Sequence, residues 1–388
     1  MRPILFFCLF SCFSAVANVG FSGPTPPAYY LLQGTIGKSA VVMQITTHGT
    51  TVEGSYFYRK TGKDISFSGT KDNLSFTFKT LAEDADDADR EQFQLTKSGD
   101  QFTGTWSKGS KKLKVVLSSL PKAAIINPYK ENRQLDHYEE YPFQEMRISL
   151  VAFERLDSIT IVNGVTFQWF KEVHWNSVMP RVVKGLPMKK IAYINDVLEA
   201  MQIDAFEGHA NCDFEAGYQH GVVQMYVDTS FFSIQTWEYY ACDHARPDDI
   251  VSNFNYDIRG ERQLLAEDLW QFPGFVSQKD VEFDVYSGYQ HSISERIHNY
   301  FKAAYSEYYP PEGQSAYEDG SADCNFDDPD IWTFSDILIT SKGLLVEPYF
   351  PTMYKYCNNP EWSVIPFGTF KEYLNPDYRK ALLKIRQE

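Results

Sequence analysis

From Glu307 to Asp330 the chain places eight carboxylates and no Lys or Arg: Glu307, Glu312, Glu318, Asp319, Asp323, Asp327, Asp328 and Asp330. Tyr308, Tyr309, Tyr317 and Phe326 are interleaved with them, and Trp332 follows. Carboxylates steer a cationic partner, and aromatic rings supply contact area at low entropic cost, so acid plus tyrosine suits a binding loop for a basic protein. The candidate binding residues are therefore Glu307, Tyr308, Tyr309, Glu318, Asp319, Asp327, Asp328 and Trp332. The bland alternative is a solvated loop. It is the natural reading of a second acidic run, Glu83 to Glu91, which has six carboxylates, one Arg and no aromatic residue. Calcium is a further option for Asp323, Asp327, Asp328 and Asp330, but their spacing departs from the twelve-residue loop with its turn glycine.

Cys8 and Cys12 belong to the N-terminal segment, which leaves Cys212, Cys242, Cys324 and Cys357. In an exported chain an even number of cysteines points to disulfides, with three pairings open. The intervals favour Cys212 with Cys242 and Cys324 with Cys357, since each encloses one strand-turn-strand unit. His209, His220 and His244 cluster around the first pair. The plain expectation is that they lie beside that disulfide. A divalent metal or proton-sensing role, with His244 the residue to test, is the chemical alternative.

The familiar catalytic signatures are missing from the chain. It has no Gly-x-Ser-x-Gly elbow, no His-Glu-x-x-His, no P-loop and no glycine-rich dinucleotide turn after a strand. Carboxylate pairs are too numerous to nominate a glycosidase couple. The sequence thus names no catalytic residue and no cofactor, and binding is the expected activity.

These residues sit in a chain of 388 residues with a formal net charge of −15 and a pI near 5.0. That balance argues against nucleic acid as a partner. A composition that is 43% hydrophobic and 22% charged is that of a core-forming chain. Arg2, the apolar run Ile4 to Phe13 and Ala15-Val16-Ala17 have the layout of a signal peptide, cleaved between Ala17 and Asn18. Leu9-Phe10-Ser11-Cys12 loosely imitates a lipobox, against which the bulky Phe10 speaks. No later run is long and apolar enough to span a bilayer as a helix. A periplasmic or secreted protein without a transmembrane anchor is expected.

The elements that must position these residues fall into two groups. Between residues 28 and 120, eight short β-patterned runs alternate with Gly, Asn, Asp or Lys-rich turns: Tyr29 to Leu32, Ala40 to Thr46, Val52 to Arg59, Ile65 to Ser68, Leu74 to Phe78, Phe93 to Leu95, Phe102 to Trp106 and Leu113 to Leu117. They predict an all-β meander or small barrel, with Gly54 and Gly104 at bulges or close strand approaches. The pattern resembles the lipocalin-like meanders of exported bacterial proteins. Prolines and a polar run place a linker at about 121–143. Beyond it an α+β domain, 144–388, is expected, with a mainly antiparallel sheet carrying helices on one side. Met146 to Glu154 and Ser158 to Phe170 are strand-like, with a type I′ turn signal at Asn163-Gly164. Further strands are expected at Val222 to Thr229, Phe231 to Tyr240, Ser252 to Ile258, Trp332 to Thr340, Leu344 to Phe350 and Trp362 to Pro366. Ile191, Ile194, Leu198 and Met201 predict one helix behind Pro187, and Ser292 to Glu295 open a second that runs toward Pro310.

Within that second region the order of motifs is familiar. Val227-Asp228-Thr229-Ser230-Phe231-Phe232-Ser233-Ile234, Cys242-Asp243-His244-Ala245-Arg246-Pro247, Asn255-Tyr256-Asp257-Ile258-Arg259-Gly260 and Glu267-Asp268-Leu269-Trp270 follow one another. With Lys342-Gly343-Leu344-Leu345-Val346 and Val364-Ile365-Pro366-Phe367, they resemble an exported bacterial domain over about residues 145–375. Its members include the extracellular part of a lysozyme-sensing anti-sigma factor and a domain preceding some peptidoglycan deacetylases. Arg246 interrupts the usual His-Pro pair, Trp270 replaces the usual Phe, and the acidic stretch is this chain's own elaboration. The resemblance implies a cell-envelope binding module and assigns no catalytic residues. The expected partner is a cationic envelope or host protein such as lysozyme, held or inhibited by the acidic aromatic loop. The alternative is a cell-wall glycan, bound or processed, with Tyr308, Tyr309, Trp332 and Trp362 stacking on sugar rings.

Overall fold

The computed structural model describes residues 27–81, 90–212, 217–242, 248–274, 283–309, 324–333, 336–350, 354, 357–358 and 360–385. Ala17, Asn18, His244, Glu318 and Asp319 lie outside the described residues, as do 82–89 of the first acidic run. The chain divides into two compact units. One holds the residues up to Lys38, 43–55 and 66–119; the other holds 39–42, 56–65 and 120–388.

All eight expected N-terminal strands are present: β1 (Ala28–Ile36), β2 (Ser39–His48), β3 (Thr51–Tyr58), β4 (Asp64–Asp72), β5 (Ser75–Thr80), β6 (Gln92–Ser98), β7 (Gln101–Lys108) and β8 (Lys111–Ser119). They form a closed antiparallel barrel in sequence order, sealed where Leu32 to Ile36 of β1 pair with Ser119 to Val115 of β8. Period-two burial drives this: along β5, Phe76, Phe78 and Thr80 are buried while Ser75 and Thr77 face solvent. Phe78 stacks on Phe67 and on Phe93, with ring centroids 4.2 and 4.8 Å apart. An eight-stranded barrel is just wide enough for such side chains to fill.

The stretch that follows β8, expected as a linker, is richer in structure than that. A 3-10 helix, Arg133–Glu140, buries Leu135 and Tyr138. Next comes α1 (Pro142–Ile148), where the sequence pattern predicts a strand from Met146. Pro142 at the first helical position favours the helix, and Phe143, Met146 and Arg147 are all buried along it. Arg147 is held by a bidentate pair with Glu207, its Nε 2.9 Å from Oε1.

β9 (Phe153–Val162), β10 (Val165–Glu172) and β11 (Val178–Lys184) form one antiparallel sheet, in the order β11-β10-β9. Its first turn has Asn163 and Gly164 at φ 48° and 77°, as a type I′ turn requires. α2 (Met188–Asn211) follows Pro187 as expected. β12 (Tyr218–Val227), β13 (Phe231–Tyr240), β14 (Asp248–Asp257) and β15 (Arg262–Leu264) make a second sheet. Ile191, Ile194, Val197 and Leu198 of α2 share a core with Phe167, Met179, Phe232, Ile234 and Tyr256 from these two sheets.

After α3 (Ala266–Leu269), α4 (Phe283–Ala304) begins nine residues before its expected start at Ser292. Ser292 and Ser294 do not cap it. Their hydroxyls donate to the carbonyls of Tyr289 and His291 within the helix. Tyr289, Ile293, Ile297 and Phe301, four residues apart, face a second core with the sheet of β16 (Asp336–Ile339), β17 (Leu344–Glu347) and β18 (Val364–Ile365). Trp332 belongs to a 3-10 helix, Pro329–Trp332, rather than to the strand expected to start there. α5 (Pro376–Leu382) buries Tyr378 and Leu382 in the same core. The unit is thus α+β with antiparallel sheets, and no helix among the described residues is long and apolar enough to cross a membrane.

Candidate functional site

The acidic aromatic segment separates into anchors and surface. Trp332 is 1% exposed and Tyr309 7% exposed, both inside the core that α4 covers. This corrects their assignment as contact residues: a ring that size recovers more free energy buried than it would on a solvated loop. Tyr308 remains 45% exposed and lies flat on Trp362, with centroids 4.7 Å apart and planes 7° from parallel. Phe326 meets Trp362 edge-on at 5.1 Å.

Asp327 is also an anchor. It accepts a hydrogen bond from Lys302 Nζ at 2.6 Å and pairs with His298 Nε2 at 3.0 Å, both on α4. Burial pushes its carboxyl up, but the Lys302 and His298 contacts outweigh this and hold it below the usual carboxylate range. Asp328 caps the 3-10 helix by accepting from Asp330 N at 2.9 Å, and Asp330 approaches His291 Nδ1 at 3.3 Å. Glu307, Asp328 and Asp330 face solvent. The carboxylates that the described part of the segment presents are therefore these three, and no group of three His, Cys, Asp or Glu able to hold a metal occurs among the described residues.

Both disulfides pair as the intervals suggested, Cys212 with Cys242 and Cys324 with Cys357. Structural disulfides belong to an oxidising compartment. The first joins the end of α2 to the end of β13, amid Ala205 and Tyr218. His209 lies beside it, edge-on to Tyr218 at 4.7 Å and stacked on Trp175 at 5.6 Å. Burial pulls the imidazoles of His209 and His220 down to about 4, so both are neutral near pH 7.

Two carboxylate arrangements are assembled from residues far apart in the sequence. Glu347 on β17 stands directly opposite Asp336 on β16. Asn253 of β14 bridges them, donating from its backbone N to Asp336 Oδ2 at 3.0 Å and from Nδ2 to Glu347 Oε2 at 2.6 Å. Burial, then the Asp336 charge, push the Glu347 carboxyl up to about 8 despite the Asn253 hydrogen bond. Elsewhere, a recess of about 250 Å³ lies between α2 and the β12–β14 face, with Asp204, His220, Glu238 and Tyr256 among its lining. The only signal for it is the period-two spacing of Thr236 with Glu238 and of Phe254 with Tyr256, which puts each pair on one face of its strand. No protein-family model and no curated protein matches this chain.

Proposed function

We propose that this chain is an exported envelope protein, periplasmic or secreted, that binds a cationic protein such as lysozyme and blocks it by steric and electrostatic occlusion. One observation supports this reading: the buried rings and Asp327 fasten the segment at both ends, while Glu307, Asp328 and Asp330 are left facing solvent and Tyr308 is half-exposed. Carboxylates carried on ordered backbone attract a basic surface without the entropic cost of ordering a loop. The resemblance of residues 145–375 to an envelope binding domain agrees with it.

The test is a pull-down of lysozyme with the purified protein at low and moderate salt. Binding at low salt that weakens with salt is expected, as is a loss of at least about tenfold in the combined Glu307→Gln, Asp328→Asn, Asp330→Asn variant. No binding at either salt, or an unaffected variant, sinks the idea. The glycan alternative retains only Tyr308 and Trp362 as stacking faces, and muropeptide binding that survives high salt would favour it.

A further inference from the structure

Six elements line the recess between α2 and the β12–β14 face, among them the 3-10 helix Arg133–Glu140 through Gln134 and β15 through Gln263. Asp204 comes from α2, His220 from β12, Glu238 from β13, and Phe254 and Tyr256 from β14. His220 and Glu238 are direct cross-strand partners, so their side chains share one face. Each carboxylate is held by a phenol: Tyr138 donates to Asp204 Oδ1 at 2.9 Å, and the Tyr218 hydroxyl is hydrogen-bonded to Glu238. Each phenol engages one acceptor and leaves the rest of the carboxylate's acceptor capacity for the recess. Asp204 keeps solvent contact, Glu238 and His220 are half-buried, and Tyr256 is buried.

The charges in this recess are one-sided. No Lys or Arg lines it. His220 is neutral near pH 7, and its Nδ1 is buried without a hydrogen-bond partner among the described residues. Burial, opposed by the Tyr218 hydrogen bond and reinforced by the Asp204 charge, raises the Glu238 carboxyl. We propose that this recess is a binding site for a compact organic ammonium, whose N–H groups donate to Asp204 and Glu238 and whose carbons lie against Tyr256 and Phe254. Two observations favour an amine over a metal ion. Although His220 lines the recess with the two carboxylates, no group of three His, Cys, Asp or Glu among the described residues is placed to hold a metal, and aromatic walls attract an alkylammonium face-on.

Putrescine is the probe, read by ligand-observed NMR on the full chain at pH 7.5. Saturable binding with a Kd of roughly 1 mM is expected, with none from 1,4-butanediol, which has the same shape and no charge. Asp204→Asn and Glu238→Gln preserve an acceptor for each phenol, and each is expected to weaken binding about tenfold. No saturation up to ~20 mM, equal binding of the diol, or displacement of the diamine by equimolar Ca²⁺ overturns the proposal. The wild-type comparison of diamine with diol decides even if a variant fails to fold. The acidic surface at α4 has no part in this experiment, so its failure and that of the lysozyme reading are separately visible.

Discussion

Glu347 sits in an environment that its type disfavours. It is 6% exposed, opposite another carboxylate, and in contact with Asn253. A carboxyl whose folded pKa is raised to about 8 binds its proton more tightly folded than unfolded. Its contribution to stability is therefore fully present below the usual carboxylate pKa and lost as pH rises through 8. A tenfold difference in proton affinity between the folded and unfolded chain is worth about 1.4 kcal/mol, so the loss by pH 9 is of the order of a few kcal/mol. Glu347→Gln keeps the acceptor and removes the charge. It is expected to raise the thermal midpoint at pH 9 by about 5 °C or more and to leave it unchanged at pH 5, with equal midpoints at both pH values counting against the assignment. His209 and His220 act in the opposite sense. Their folded pKa values are lowered to about 4, so the stability they contribute is present above the usual imidazole range and is lost as pH falls through 4. Neither effect was legible in the sequence, because a carboxylate or imidazole acquires its pKa from what packs around it. Asn255 makes the same point, since its amide takes the place of a missing strand contact. It donates to the Ile337 carbonyl and accepts from Ile339 N, joining β14 to β16.

At the scale of elements, the two kinds of glycine predict opposite signs. A Cβ on Gly104 of β7 would sit 1.9 Å from the Gln94 carbonyl oxygen, and one on Gly54 of β3 would sit 2.1 Å from that of Gln44. The barrel strands cross there too closely for any side chain, as the Thr103-Gly104-Thr105-Trp106 and Glu53-Gly54-Ser55-Tyr56 motifs suggested. Gly104→Ala is expected to cost about 2 kcal/mol or more in urea unfolding, because the neighbouring strand has to move. Gly288 lies exposed within α4 with nothing inside 4 Å of an added Cβ. Gly288→Ala is expected to stabilise by about 0.5–1 kcal/mol by restricting the unfolded chain and suiting the helix. A stabilised Gly104→Ala or a destabilised Gly288→Ala would contradict these placements. The barrel was legible strand by strand since each strand buries alternate residues. The start of α4 was not, because its serines satisfy helix carbonyls from within, a use that leaves the same residue types in the sequence as a cap.

Across the whole molecule, the two disulfides and the uneven charge matter most. Cys324–Cys357 ties one end of the acidic segment to the chain before β18 and encloses an interval of 33 residues. Closing a loop of that size restricts the unfolded chain by about 3–4 kcal/mol. Cys324→Ser with Cys357→Ser is expected to lower stability by that order and to weaken capture of lysozyme, while a non-reducing peptide map of the native protein recovers the two cross-linked pairs and no others. A map with Cys212 joined to Cys324 or Cys357 would refute the fold of this unit. The sequence by itself determined the eight barrel strands, the α+β character of the rest and both helices in outline, and it favoured one cysteine pairing out of three, which the structure then decided. All of these depend on local periodicity or on intervals along the chain. Only the tertiary structure decided which members of the acidic segment are anchors and which are surface, that Glu347 meets Asp336, and that Asp204 and Glu238 share a recess. These depend on residues distant in sequence becoming neighbours, and burial and charge act through distance in space.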